Sequence, residues 1–102
     1  MHLVQILLPL YDNENRLFPQ SEFEAVRKEL TEAFGGLTAF VRSPAEGLWK
    51  EDEGEVSRDD VVMFEVELDP LQREWWAHYR KDLERRFKQD ELVVRAIEIE
   101  KL

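Results

Sequence analysis

The chain has 102 residues, with 14 Lys and Arg against 23 Asp and Glu, for a net charge of −9. This length suits one domain, and 43% hydrophobic residues is close to the usual share for a globular core. The sequence has no cysteine, which excludes disulfides, thiol catalysis and thiolate metal sites. The acidic balance opposes nucleic-acid binding, and no apolar run approaches the roughly 20 residues of a membrane helix. We therefore expect a cytoplasmic protein that binds neither nucleic acid nor membrane.

The first half of the chain predicts a strand, a helix and a second strand. Residues 3–10 are apolar apart from Gln5, and their length favours a buried strand. Ser21 and Glu24 have the capping-box spacing that begins a helix, and Gly35-Gly36 is typical of a helix end. The apolar stripe of this helix consists of Phe23, Val26, Leu30 and Phe34. Residues 37–42 are predicted to form the second strand.

The second half predicts two strands around a second helix. Residues 61–68 alternate, which is typical of a half-buried strand. Asp69 as N-cap and Pro70 at the first helical position are expected to begin the helix. Residues 92–99 form the last predicted strand. The predicted inner side of the third strand consists of Val62, Phe64, Val66 and Leu68. The predicted buried side of the second helix consists of Leu71, Trp75, Trp76, Tyr79, Leu83 and Phe87.

The predicted element order is β-α-β-β-α-β, with no repeat or linker. This order is typical of an α+β, ferredoxin-like domain spanning residues 1–102, with a four-stranded antiparallel sheet and both helices on one face. Residues 43–60 are interpreted as an extension of the central hairpin, with a bulge near Pro44 to Gly47 and a turn at Glu53-Gly54. The fold alone predicts no function, because this architecture hosts many unrelated ones.

Three short motifs resemble a pattern in small bacterial proteins of no known activity. They are Phe34-Gly35-Gly36-Leu37-Thr38, Pro44-Ala45-Glu46-Gly47-Leu48-Trp49 and Gly54-Glu55. The resemblance covers roughly residues 30–66 and implies the ferredoxin-like fold but no reaction. The element order also resembles that of dimeric α/β-barrel proteins, such as monooxygenases of the antibiotic-biosynthesis type. That resemblance implies two subunits with their open sheet faces packed together.

The residues themselves also favour such a dimer. With both helices on one face, the other sheet face of a monomer should be polar. That face would carry Leu3, Leu7, Thr38, Phe40, Val61 and Met63, with Glu65 and Glu67 toward one end. An uncovered apolar face is typical of a protein interface. We therefore expect a homodimer through the open sheet face.

The most enzyme-like candidate site combines His78 with the aromatic side chains of Trp75, Trp76 and Tyr79 on the second helix. An imidazole can act as acid or base near neutral pH, and aromatic walls suit a small planar molecule. In the alternative interpretation the aromatic rings fill the core and His78 lies at its margin. The sequence also leaves open which of the two adjacent tryptophans is buried.

Three other features each have a functional and a structural interpretation. Trp49 is a candidate ligand contact, or it packs across the hairpin or against a partner subunit. Residues 51–60 carry six acids and one base, which suits a hard cation but lacks calcium-loop spacing and fits a solvated turn. The basic stretch 80–88 can contact an anion or stay solvated at the helix end. His2 and His78 lie far apart in the sequence, so no metal site is expected. No other cofactor is expected either.

These observations support three hypotheses for function. The first is a homo-oligomeric ferredoxin-like domain without catalysis. The second is a cofactor-independent, monooxygenase-like enzyme acting on a small hydrophobic or aromatic molecule, with His78 as acid or base. The third is a regulatory module that binds a small ligand.

Overall fold

A computed structural model describes residues 1–34, 39–42 and 61–102, with β2 described by its backbone alone. The helices and strands are β1 His2–Pro9, α1 Gln20–Ala33, β2 Ala39–Arg42, β3 Val61–Leu68, α2 Arg73–Arg86 and β4 Val93–Glu98. The predictions for Gly35-Gly36, for the hairpin of residues 43–60 and for Trp49 lie outside the described residues. Within the described ranges, no helix is long and apolar enough to cross a membrane.

Antiparallel pairing joins the described strands in the order β2-β3-β1-β4. Val4 in β1 lies opposite Val66 of β3 on one side and Ala96 of β4 on the other. Val66 in turn lies opposite Ala39 of β2. The predicted α+β class, with two helices and an antiparallel sheet, is confirmed and is compatible with a ferredoxin-like fold.

The core lies between one face of this sheet and the two helices. The even-numbered residues of β1 and β3 point to this side because successive side chains of a strand alternate between faces. Phe64 is 1% exposed, and burial of a side chain of this size stabilises the fold by about 2 to 3 kcal/mol. The predicted inner parity of β3 is therefore confirmed. The other core residues from these strands and helices are Val4, Ile6, Leu8, Phe23, Val26, Leu30, Val62, Val66, Leu68, Trp76 and Leu83.

The opposite face of the sheet, here called the open face, carries a mixture of apolar and polar residues. Leu3, Leu7, Val61 and Met63 are half-buried on this face, and Val93 and Ile97 of β4 are 49% and 44% exposed. A polar row crosses its middle, where Gln5 donates to Glu65 and accepts from Arg95. Glu65 is the exception in this row because only 5% of it is exposed.

Both predicted helix starts are wrong. Helix α1 begins at Gln20 after Pro19, which has an extended conformation and makes no side-chain cap. The carbonyl of Pro19 accepts the first helical bond from the Glu22 N–H at 3.0 Å, so Ser21 already lies in the first turn. Helix α2 begins at Arg73, four residues after Asp69, because Gln72 has a left-handed backbone with φ of 60°. A left-handed residue interrupts right-handed helix geometry, so the helix starts only beyond it.

Helix α2 ends in a motif that the sequence did not reveal. Lys88 has a positive φ of 52°, and its N–H donates to the Arg85 carbonyl at 3.3 Å. The Gln89 N–H donates to the Glu84 carbonyl at 2.9 Å. These two bonds form a Schellman motif, in which the left-handed position is usually glycine. Here lysine occupies that position.

Candidate ligand-binding site

A cavity of about 270 Å³ lies between the first two turns of α2 and strands β1 and β4. Its volume is near the lower end of the range for small-molecule sites. One wall is apolar and consists of Val4, Leu71, Ala77, Val94 and Ala96. The remaining lining residues are Trp76 and the three arginines Arg73, Arg80 and Arg95. The cavity therefore combines an apolar wall with cationic and N–H donor groups.

The helical wall of this cavity follows from the spacing along α2. Arg73, Trp76, Ala77 and Arg80 lie at positions i, i+3, i+4 and i+7, so they form one stripe on the helix. Trp76 is only 6% exposed, whereas Arg73 is exposed at the end of the stripe. The helix thus places a buried indole between two guanidinium groups.

The strand wall follows from the alternation of β4. Val94 and Ala96 lie opposite Ile6 and Val4 of β1, on the helix side of the sheet. Arg95 lies between them and belongs to the open face, where its Nε donates to the Gln5 Oε1 at 2.8 Å. The charge of Arg95 is therefore directed away from the cavity. Arg73 and Arg80 are therefore the lining residues whose positive charge can act on a ligand in the cavity.

Two buried donors in the cavity lining have no hydrogen-bond partner within the described part of the chain. They are the indole Nε1 of Trp76 and the Nε of Arg80. The Glu84 Oε2 lies 4.0 Å from the Arg80 Nε, too far for a hydrogen bond, and instead accepts from the Leu92 N–H at 2.9 Å. Both nitrogens have almost no accessible surface, so they are shielded from the cavity as well as from solvent.

The aromatic side chains predicted as pocket walls mostly pack against one another. Trp76 stacks on Phe34, with ring centroids 5.2 Å apart and an interplanar angle of 10°. Trp75 stacks on Tyr79 at 4.8 Å and is only partly buried. Of these residues, Trp76 alone is among those that line the cavity. Of the two adjacent tryptophans, Trp76 is thus the buried one, and most of the aromatic side chains on this helix serve packing.

His78 lies apart from this cavity. Its side chain is exposed, and its Nδ1 lies 2.8 Å from the carbonyl oxygen of Glu74 in the preceding turn of α2. It is not among the lining residues, so the structure does not bring it together with Trp76 at a common site. Its proposed role as acid or base stays a prediction. Within the described ranges, no group of three or more His, Asp or Glu side chains could hold a metal ion.

Tyr79 belongs to a polar cluster between the two helices, here called the Glu29 cluster. Glu29 of α1 accepts from the Tyr79 hydroxyl at 2.7 Å and from both terminal nitrogens of Arg86, at 3.0 and 2.6 Å. Burial alone would raise the pKa of Glu29, but the hydrogen bonds from Arg86 and Tyr79 outweigh it and lower that pKa. Burial and the hydrogen bond to the Glu29 carboxylate raise the pKa of Tyr79 far above its usual range. Tyr79 is therefore a neutral donor that helps to join the helices.

Sequence reasoning missed two parts of this arrangement. Arg80 belongs to the basic stretch 80–88, for which the sequence leaves anion contact and solvation both open, and the sequence does not single out Arg73. The available signal was their separation by seven residues with Trp76 between them, which places all three on one helical stripe. Glu29 carried no such signal, because its partners Tyr79 and Arg86 lie 50 and 57 residues away along the chain.

Comparison of the chain with known protein families, curated proteins and solved structures finds no match. The resemblances noted from the sequence therefore stay predictions.

Proposed function

We propose that this protein is a small-ligand-binding module whose ligand occupies the cavity between α2 and strands β1 and β4. The observation that carries the proposal is the lining of the cavity, where an apolar wall lies beside the guanidinium groups of Arg73 and Arg80. A ligand in the cavity would cover the apolar wall and give these guanidinium groups an acceptor.

Binding is favoured over catalysis by the chemistry of the lining. The side chains around the cavity are apolar, indole or guanidinium groups. A guanidinium stays protonated at neutral pH and so makes a poor general base. His78, the expected acid or base, is exposed outside the lining. These features support a regulatory or carrier module and give no specific support to the monooxygenase-like alternative.

The proposal is tested with a variant that retains Trp76 as its sole tryptophan, made by changing Trp49 and Trp75 to phenylalanine. Small apolar and anionic compounds are titrated while the emission of Trp76 is followed. A saturable change is expected, and it should disappear when Ala77→Leu narrows the cavity. Ala33→Leu, at an exposed position of α1, is the matched control and should leave the response unchanged. Identical responses in the Ala77 and Ala33 variants would place the ligand elsewhere.

The ferredoxin-like assignment is part of this proposal. The order β2-β3-β1-β4, with antiparallel neighbours, supports a four-stranded sheet of the ferredoxin-like type. The shared core of both helices with one sheet face supports it further. The resemblance to small bacterial proteins and the cytoplasmic location stay predictions, the latter open to test by cell fractionation.

A homodimer through the open face is proposed as the form in which the module works. Val93 and Ile97 are each close to half exposed on this face, beside the half-buried Leu3 and Leu7. Aligned packing of two such faces would remove these side chains from water, as in a β-sandwich. The occupant we propose is a second copy of the chain.

Light scattering coupled to size-exclusion chromatography tests the dimer. The wild-type protein should have twice the mass of one chain, and Ile97→Lys should have the mass of one chain. Ala33→Lys introduces the same charge on α1 and should remain dimeric. A wild-type protein with the mass of one chain at all concentrations would contradict the dimer while leaving the cavity proposal standing.

A further inference from the structure

The cavity has a marked charge asymmetry for so acidic a protein. The whole chain carries a net charge of −9, yet the lining includes Arg73 and Arg80 and no Asp or Glu. Within the described part of the chain, the Arg80 Nε is buried and makes no hydrogen bond. The Glu84 carboxylate, 4.0 Å away, balances the charge of Arg80 in part, but two guanidinium groups at one cavity of an acidic protein still favour an anion there.

The geometry of α2 allows both arginines to reach one anion. Arg73 and Arg80 are separated by seven residues, or about 10 Å along a helix that rises 1.5 Å per residue. The Trp76 indole lies between them on the same stripe. A carboxylate in the cavity could accept from the terminal guanidinium nitrogens of Arg80, whose side chain is 41% exposed. Guanidinium groups suit this task because their planar array of donors matches a carboxylate.

The remaining wall shows what the rest of the ligand must be. Val4, Val94 and Ala96 present aliphatic surface from β1 and β4, and Leu71 adds to it from the start of α2. A free inorganic anion would leave this surface in contact with water, whereas an organic anion would cover it. The volume of about 270 Å³ is near the lower end of the range for small-molecule sites, so a compact ligand fits.

We infer that the ligand is a small organic carboxylate, with its carboxylate bound by Arg80 and its apolar body against β1 and β4. Arg73 stands at the exposed end of the stripe and attracts the anion. This inference rests on the proposed function and specifies its ligand class. A polyanion is disfavoured because the net charge of −9 repels it and only Arg73 and Arg80 are placed to balance its charge in the cavity.

Calorimetric titration with benzoate and benzamide tests the inference, because the two probes share size and shape but differ in charge. Benzoate should bind the wild-type protein at least tenfold more tightly than benzamide. Arg80→Gln should weaken benzoate binding at least tenfold, and Arg80→Lys should weaken it severalfold because an ammonium lacks the planar array of donors. Lys81→Gln removes the same charge from an exposed neighbouring position and should leave benzoate binding unchanged.

The outcomes separate this inference from the proposed function. If benzoate and benzamide bind equally and both lose binding in Ala77→Leu, the cavity binds a ligand but does not select a carboxylate. That result would overturn this inference and leave the proposed function standing. Binding of inorganic phosphate as tight as that of benzoate would overturn the organic class of ligand. Benzoate binding that is equal in Arg80→Gln and wild type would remove Arg80 from the site. Failure of both aromatic probes, together with no Trp76 response to any compound, would overturn the proposed function itself. If Arg80→Gln fails to fold, the inference is tested by benzoate binding to Arg80→Lys and by the difference between benzoate and benzamide binding to the wild-type protein.

Discussion

Replacement of Glu29 by glutamine should weaken the interaction between the two helices without creating a cavity. The carboxylate accepts three hydrogen bonds, from Tyr79 and from both terminal nitrogens of Arg86. Each hydrogen bond to a charged group contributes about 1.5 to 3 kcal/mol when that group is well shielded. The Glu29 side chain is 40% exposed, so solvent screening weakens these bonds, and the glutamine oxygen can still accept; the expected net loss is about 1 to 2 kcal/mol. Glu29→Gln should lower the free energy of unfolding by that amount at pH 7.

The same substitution should change how stability depends on pH. The pKa of Glu29 is lowered in the folded protein from an ordinary value of 4.5. Its contribution is therefore fully present above about pH 4.5 and is lost as the pH falls through the folded pKa. Urea denaturation at several pH values should show that wild type and Glu29→Gln differ at pH 7 and converge in acid.

Glu32, also on α1, provides a matched control for the Glu29 substitution. Glu32→Gln changes the same charge at an exposed position of the same helix and should have little effect. A double-mutant cycle of Glu29→Gln with Arg86→Met should give a coupling free energy of about 1 kcal/mol. If Glu29→Gln matched Glu32→Gln at every pH, the Glu29 cluster would not join the helices as described.

Three further predictions concern the core and the backbone. Leu83→Ala, at a position that is 0% exposed, should lower the free energy of unfolding by about 3 kcal/mol in urea denaturation. Lys88→Gly should raise the melting temperature, because glycine adopts the left-handed position about 1 kcal/mol more favourably than lysine; no increase would contradict the Schellman assignment. Asp12→Ala should cost about 1 kcal/mol, because its Oδ1 accepts the Glu14 and Arg16 N–H groups at 2.8 and 2.9 Å, while Asp12→Asn should retain most stability by the same denaturation assay.

The regular elements were predictable because their signals are local. Alternation across β3 placed Phe64 and Val66 inward, and the stripe from Phe23 to Leu30 placed α1 against the sheet. Each of these patterns depends only on the period of its own element and on apolar burial. The same reasoning predicted apolar residues on both faces of β1, where Leu3 and Leu7 indeed lie on the open face.

The helix boundaries were less predictable because side-chain caps compete with backbone conformation. Ser21 matches the capping box, yet the Pro19 carbonyl accepts the first bond of α1. Asp69 with Pro70 matches a helix start, yet the positive φ of Gln72 delays α2 to Arg73. A left-handed glutamine carries no compositional signal, since such a conformation is usually associated with glycine or asparagine.

The candidate site was the least predictable part because it joins residues that are distant in sequence. The cavity brings Val4 of β1 and Ala96 of β4 against Trp76 and Arg80 of α2. The pairing of β1 with β4 brings Val4 and Ala96 side by side, and the periodicity of neither strand predicts this pairing. Sequence reasoning consequently emphasised His78, which neighbours Trp76 along the chain but is exposed outside the cavity lining.

The Trp76 indole N–H offers the most direct measurement of the central claim. In ¹⁵N-labelled protein, each tryptophan gives a separate indole resonance, which the Trp49→Phe and Trp75→Phe variants assign. Titration with benzoate should shift the Trp76 indole resonance saturably, because Trp76 lines the cavity, with smaller changes at Trp75. An unchanged Trp76 resonance, or equal shifts at all three tryptophans, would contradict a carboxylate site in this cavity.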